Sequence, residues 1–192
     1  MTRTYLFPEL FYAGEVHSDL KPYLREGLAP EFIPWLTFRG EHHFEAMAHG
    51  YPNGFQKLGT IRYSPEKIQL PISRTMLVFE SSERKEGKAP RGFLNIGLVL
   101  ISPLEELTDE EIYCDGFESK EDMLWQMTKM ESRYYQDLTS SSIISYFLFG
   151  DLEPLVKDQT DSDTVRGALQ EQLPQSWEEL KHLDRVGWTK GW

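Results

Sequence analysis

The apolar positions of this chain change period several times, and each change marks a predicted element. Trp35-Leu36-Thr37-Phe38 is a run of β-forming residues and reads as the first strand of a main domain. From His42 to His49, Phe44, Met47 and Ala48 fall at helical spacing, with Gly50 placed to stop a short amphipathic helix. Pro52, Asn53 and Gly54 are turn chemistry, and Thr60-Ile61-Arg62 then reads as extended chain. Arg74 to Glu80, Phe93 to Ile101 and Ile143 to Phe149 are longer runs suited to buried strands. Asn95 or Gly97 marks a bulge or a close backbone approach in the second of these.

Helix punctuation is clearest between Leu107 and Gly116. Thr108 is an N-cap, Glu111 follows three residues later, Leu107 is placed to staple against Ile112, and Gly116 supplies a stop. A second start at Ser119, with Asp122 three residues on, opens a helix with Met123, Met127 and Met130 roughly on one face. That face is the spacing packing requires. Ser81 to Gly92 reads as a polar loop carrying Arg84, Lys85, Lys88 and Arg91, either a solvated hairpin loop or a grip for a phosphate backbone.

The flanks look different. Residues 1–34 alternate apolar bursts with turn residues: Tyr5-Leu6-Phe7 before Pro8, Leu10-Phe11-Tyr12 before Gly14, and a short helix around Pro22 to Glu26 that Gly27 ends. Beyond Pro154 the chain turns polar and acidic before a helix start at Ser176-Trp177 and a tail holding Trp188 and Trp192. The reading is therefore an α+β chain with an N-terminal extension (1–34), a main domain (35–152) and a C-terminal helical appendage (153–192).

Composition narrows the classes. Of 192 residues, 40% are hydrophobic and 27% charged, which suits a folded domain rather than a disordered chain. The net charge of −11 disfavours sequence-blind binding to nucleic acid, which draws on clustered Lys and Arg, but leaves room for a local basic pocket. One cysteine, Cys114, excludes an intramolecular disulfide and a CxxC zinc site. His42 and His43 are adjacent and diverge by about a hundred degrees on a helix, so they do not form a metal-ligand pair. No metal or cofactor is predicted. Without a membrane-length apolar run or a signal-type N-terminus, the expected setting is cytoplasmic.

The densest candidate chemistry is Lys57-Leu58-Gly59-Thr60-Ile61-Arg62. On a strand, Thr60 and Arg62 project from one face, with Lys57 at its mouth, so a planar fork and a point charge line a pocket for an anionic or amide-bearing ligand. The plain alternative is an exposed loop leading into a strand.

Taken with Leu36-Thr37-Phe38 before a helix ending at Gly50, and with Leu107-Thr108 leading to Asp115-Gly116-Phe117, the Lys-x-x-Thr-Ile-Arg string resembles the ASCH domain, a branch of the PUA-like superfamily, over roughly residues 35–152. The resemblance implies a small PUA-like β-barrel with short flanking helices that binds RNA or a modified nucleobase or nucleoside. Phe38, Arg39, Arg62 and Tyr63 are then candidate ligand-binding residues. In some small bacterial members the resemblance implies an amidohydrolase of N(4)-acetylcytidine. Carried over, Thr60 is the nucleophile, Lys57 its proton acceptor and Asp115 the acid that protonates the leaving amine. Here the carboxylate is Asp rather than the usual Glu, and Tyr51 to Gln56 intervene before Lys57. A third reading is a protein-interaction module that uses the acidic surface and the C-terminal tail.

Overall fold

The computed structural model describes residues 3–7, 18–129 and 135–154. The strands are β1 (Thr4–Leu6), β2 (Ala29–Ile33), β3 (Trp35–Phe38), β4 (Gly59–Arg62), β5 (Lys67–Pro71), β6 (Thr75–Glu80), β7 (Gly92–Pro103), β8 (Ile143–Phe149) and β9 (Glu153–Pro154). The helices are α1 (Lys21–Arg25), α2 (His42–His49), α3 (Ser81–Lys85), α4 (Asp109–Asp115) and α5 (Lys120–Lys129). The architecture is mixed α+β. Met130, the Leu10 to Tyr12 burst and the predicted helix at Ser176 lie outside the described residues.

β7 is the strand on which the sheet is built. Its twelve residues pair antiparallel with β6 and β9 along the first half and with β8 and β1 along the second. The register shifts between Ile96 and Leu98, so Gly97 is the bulge, while the Asn95 side chain bonds Thr75 and Glu153. β3 joins β6 in parallel, β4 joins β8 antiparallel, and β2 and β5 form a separate parallel pair.

Strand alternation divides the core in two. Leu6, Val99, Ile101 and Phe147 face one side, with Leu36 and Phe38 of β3 and Phe44 and Met47 of α2. Ile61, Leu100, Ile144 and Tyr146 face the other, against Ile112 of α4 and Met123 and Met127 of α5. Thr60 stands opposite Phe147 and Arg62 opposite Ser145, so both belong to the first face.

The expected closed barrel is corrected here. The sheet order runs β3-β6-β7-β8-β4, leaving β3 and β4 as ends that do not pair with each other. The reason lies in donors and acceptors. The Ile61 N–H of β4 donates to the Asp115 carboxylate at 2.8 Å instead of to a strand. What spans the gap is a side chain: Arg62 Nη2 donates to the Thr37 carbonyl of β3 at 3.1 Å.

Other local expectations meet mixed outcomes. α4 has the complete capping box, with Glu111 N–H on Thr108 Oγ1 and Thr108 N–H on Glu111 Oε2, and Gly116 ends it in the left-handed conformation. On α2, Ala46 is buried with Phe44 and Met47, and Ala48 is exposed. The stretch read as a polar loop contains α3, whose start is capped by the Glu80 carboxylate accepting from the N–H groups of Ser82 and Glu83. β5 has a readable alternation, with Ile68 and Leu70 inward and Lys67 and Gln69 bonded to Glu31.

Gly59 is a packing requirement. A Cβ there would overlap the Tyr146 ring and hydroxyl, whose O–H is fixed on the Glu111 carbonyl at 3.0 Å. Gly150 has open space around the same position. Gly59→Ala is therefore expected to cost about 3 kcal/mol in urea unfolding, and Gly150→Ala less than about 0.5. Equal effects from the two would show that Tyr146 does not seal this strand.

Candidate functional site

The segment entering β4 is pinned between two helix ends. Lys57 N–H donates to the Ala46 carbonyl of α2 at 3.2 Å, and Leu58 N–H to the Cys114 carbonyl of α4 at 3.2 Å. The residues intervening before Lys57 form a closed turn, with Tyr51 N–H on the Phe55 carbonyl and Gly54 N–H on that of Tyr51. They loop out and return the chain to the end of α2, so their number does not displace Lys57.

Lys57 points inward and is 1% exposed. Its Nζ donates to Asp115 Oδ1 at 2.6 Å, to the Asp115 carbonyl at 3.1 Å and to the Gly59 carbonyl at 3.3 Å. Three acceptors match the three protons of an ammonium group. Asp115 ends α4, where the helix dipole also favours a cation, and its Oδ2 takes the Ile61 N–H. Burial pushes the Lys57 ammonium down from the ordinary lysine value, while Asp115 pulls the other way. Tyr51, read only as part of a turn, donates its hydroxyl to the Asp115 carbonyl at 3.1 Å.

Lys57 and Asp115 are thus in contact, although 58 residues apart in the chain. Thr60 sits on the adjacent strand, buried at 5% exposure, and its hydroxyl is not among the acceptors of Lys57 Nζ.

Phe38 is the hub of the second cluster. Lys57 Nζ and Arg62 Cζ each lie 5.2 Å from its ring centroid, and the His43 ring lies 5.6 Å away. Arg62 Nε and His43 Nδ1 are both buried and have no hydrogen-bond partner among the described residues. His43 is pushed down to about 2, by burial first and then by the charges of Lys57, His42 and Arg62, so its imidazole is neutral near neutral pH. Composition and motif do not flag His43. The available signal was its position four residues before Met47, on the inward side of α2.

The remaining candidates separate. Tyr63 packs on the second core, with its ring 6.2 Å from Tyr135, on the opposite face from Arg62. Arg39 is exposed, one residue past β3. Among the loop cations, Arg91 is ion-paired with Glu83 and Glu41, Lys88 with Glu86, and Arg84 stacks on Trp35. Glu80 Oε1 accepts the Gly40 N–H at 3.0 Å, which ties the turn before α2 to β6 and so fixes where His43 sits. Bonds from Ser82, Glu83 and Gly40 hold the Glu80 carboxyl down at about 2.

Among the described residues no group of three His, Cys, Asp or Glu is placed to hold a metal ion, and no helix is long and apolar enough to cross a membrane.

No protein-family model matches this chain. No curated protein matches it either. Among solved structures it is similar to a crystal structure of protein EF3133 from Enterococcus faecalis V583, described as family-model DUF984, at 14% identity and a TM-score of 0.44, covering 71% of this chain and 90% of that one.

Two stability outcomes follow from this geometry. Lys57→Met leaves the Asp115 carboxylate buried without its cation and is expected to cost about 3–5 kcal/mol. Adding Asp115→Leu should recover only part of that, because Ile61 N–H then loses its acceptor. A cost for Lys57→Met below about 1 kcal/mol would mean the pair does not pin β4.

The second outcome concerns acid. The His43 value in the fold lies below that of an unfolded imidazole, so the unfolded chain binds more protons and stability falls as pH drops below about 6.5. Glu80, held low from a value of 4.5, adds to the loss only below that pH. Between about pH 6.5 and 4.5 the His43 contribution has a limiting slope of about 1.4 kcal/mol per pH unit. His43→Phe should flatten this part of the curve in denaturant titrations. An unchanged slope would place His43 in water.

Proposed function

We propose that the chain is an ASCH-type, PUA-like domain that binds a nucleobase, nucleoside or unpaired RNA base at the seam between β3 and β4, with Arg62 as its polar anchor. The observation that carries this reading is the Arg62 guanidinium, which spans the seam while its Nε–H is buried and has no partner among the described residues. A buried donor left unmade costs about 1–3 kcal/mol, and a ligand oxygen or ring nitrogen at that place would supply the missing bond. Phe38, Lys57 and His43 complete the wall. The net charge of −11 argues for recognition of a base edge rather than of many phosphates.

The amidohydrolase reading asks more of the same residues. Lys57 would have to be neutral and turned to the Thr60 hydroxyl, yet its three donors are engaged with Asp115 and Gly59. Asp115 would have to deliver a proton, yet its two carboxylate oxygens accept from Lys57 and Ile61. Binding is the use that the arrangement supports as it stands. The tail that a protein-interaction reading depends on lies outside the described residues.

The test is calorimetric titration with cytidine, N(4)-acetylcytidine and a short single-stranded RNA. At least one should bind, and Arg62→Lys, which keeps charge and stem but has no Nε–H, should weaken it about tenfold. Undiminished binding by Arg62→Lys, with circular dichroism unchanged, would refute the reading. Acetate release from N(4)-acetylcytidine that is lost in Lys57→Ala would put hydrolysis in its place.

A further inference from the structure

Two nitrogens of different hydrogen-bonding character are left unmatched beside Phe38. Arg62 Nε always carries a proton and donates. His43 Nδ1 is less constrained, because a neutral imidazole places its proton on either nitrogen. Burial decides between them. A buried N–H without an acceptor is rarer in folded proteins than a buried lone pair without a donor, so the ligand-free protein keeps the proton on Nε2. Nδ1 then offers a lone pair, which the neighbouring charges of Lys57 and Arg62 also favour.

Resting on the reading of the seam as a base-binding site, we infer that His43 is its specificity residue: Nδ1 accepts a hydrogen bond from a ligand N–H while Arg62 Nε donates to an acceptor on the same ligand edge. The ligand class is a neutral planar group with a donor beside an acceptor, the pattern of an amide, a lactam or the pairing edge of a nucleobase. An anion without a proton, such as sulfate or a carboxylate, satisfies Arg62 but leaves Nδ1 unmatched, so this site discriminates against it. Phe38 holds the two groups in relation, since both pack on its ring. The turn through Gly40 sets the position of α2, since Gly40 has a φ of +100° and its N–H is held by Glu80.

The test uses the full chain and cytidine, whose pairing edge has an amino donor beside a ring-nitrogen acceptor. His43→Asn places a carbonyl oxygen near the position of Nδ1, His43→Gln places its amide near that of Nε2, and His43→Phe keeps only the ring. We expect Phe and Gln to weaken cytidine binding about tenfold and Asn to restore most of it. Sulfate, which has acceptors but no donor, should not compete. Affinity should stay level from about pH 7.5 to 5.5, because burial first, and then the charges of Lys57, His42 and Arg62 that face His43, keep it neutral.

Asn falling as far as Phe would make His43 a packing residue and overturn the inference, as would a loss of affinity across the ordinary imidazole range. Nitrogen-15 imidazole spectra of the ligand-free protein give a readout that needs no ligand. They should show a bare Nδ1, and a protonated Nδ1 refutes the acceptor role. The failures separate cleanly: sensitivity to Arg62→Lys without sensitivity to His43 removes this inference alone, whereas insensitivity to Arg62→Lys removes the site.

Discussion

An ammonium group taken out of water costs several kcal/mol unless its charge and its three protons are all met, and the centre of this fold is arranged around meeting that demand at Lys57. The acceptors come from Asp115 at the end of α4 and from Gly59 at the start of β4. Each places a backbone element. Asp115 must lie where a helix ends, so α4 stops at Gly116 with its last carbonyl facing inward. The same carboxylate takes the Ile61 N–H, which commits β4 to α4 instead of to a further strand. The open edge of the sheet and the buried ion pair are thus one feature seen from two sides.

An open edge leaves a seam, and beside it lie two buried nitrogens that have no partner among the described residues. Arg62 crosses it with one nitrogen on the Thr37 carbonyl and another left over. His43 reaches it from α2, carried there by the Gly40 turn and the Glu80 carboxylate. Buried polar atoms are almost always satisfied in folded chains, so two unmatched nitrogens on one aromatic ring are a cost that packing alone does not explain. Lys57 and Asp115 are saturated, and Arg62 and His43 are not. Lys57 and Asp115 hold β4 to α4, and it is on Arg62 and His43 that the proposed recognition rests.

Much of the fold was legible because its signals are local. The capping box of α4, the β8 run from Ile143 to Phe149 and the bulge near Gly97 depend on residues a few positions apart, and they lie where their patterns place them. Other elements were hidden because their determinants are not local. α3 has no buried face, and its cap is a glutamate that also holds the distant Gly40, so composition alone reads it as loop. Ala48 fits a helical stripe as well as Ala46 does, and the packing of α2 against the core chose Ala46.

By itself, the sequence determined the runs that become β3, β4, β6, β7 and β8, the start and stop of α4, the start of α5, and the presence of a lysine, a threonine and an arginine within one short run. Periodicity and capping act over one or two turns of chain, and that is as far as such patterns carry. Which partner Lys57 has, that Tyr63 turns to the opposite face from Arg62, that the strands stop short of closing, and that His43 stands beside Arg62 were decided only in three dimensions. The physical reason is that burial and charge neutralisation join groups tens of residues apart, and no local pattern records which of several available partners will be within reach.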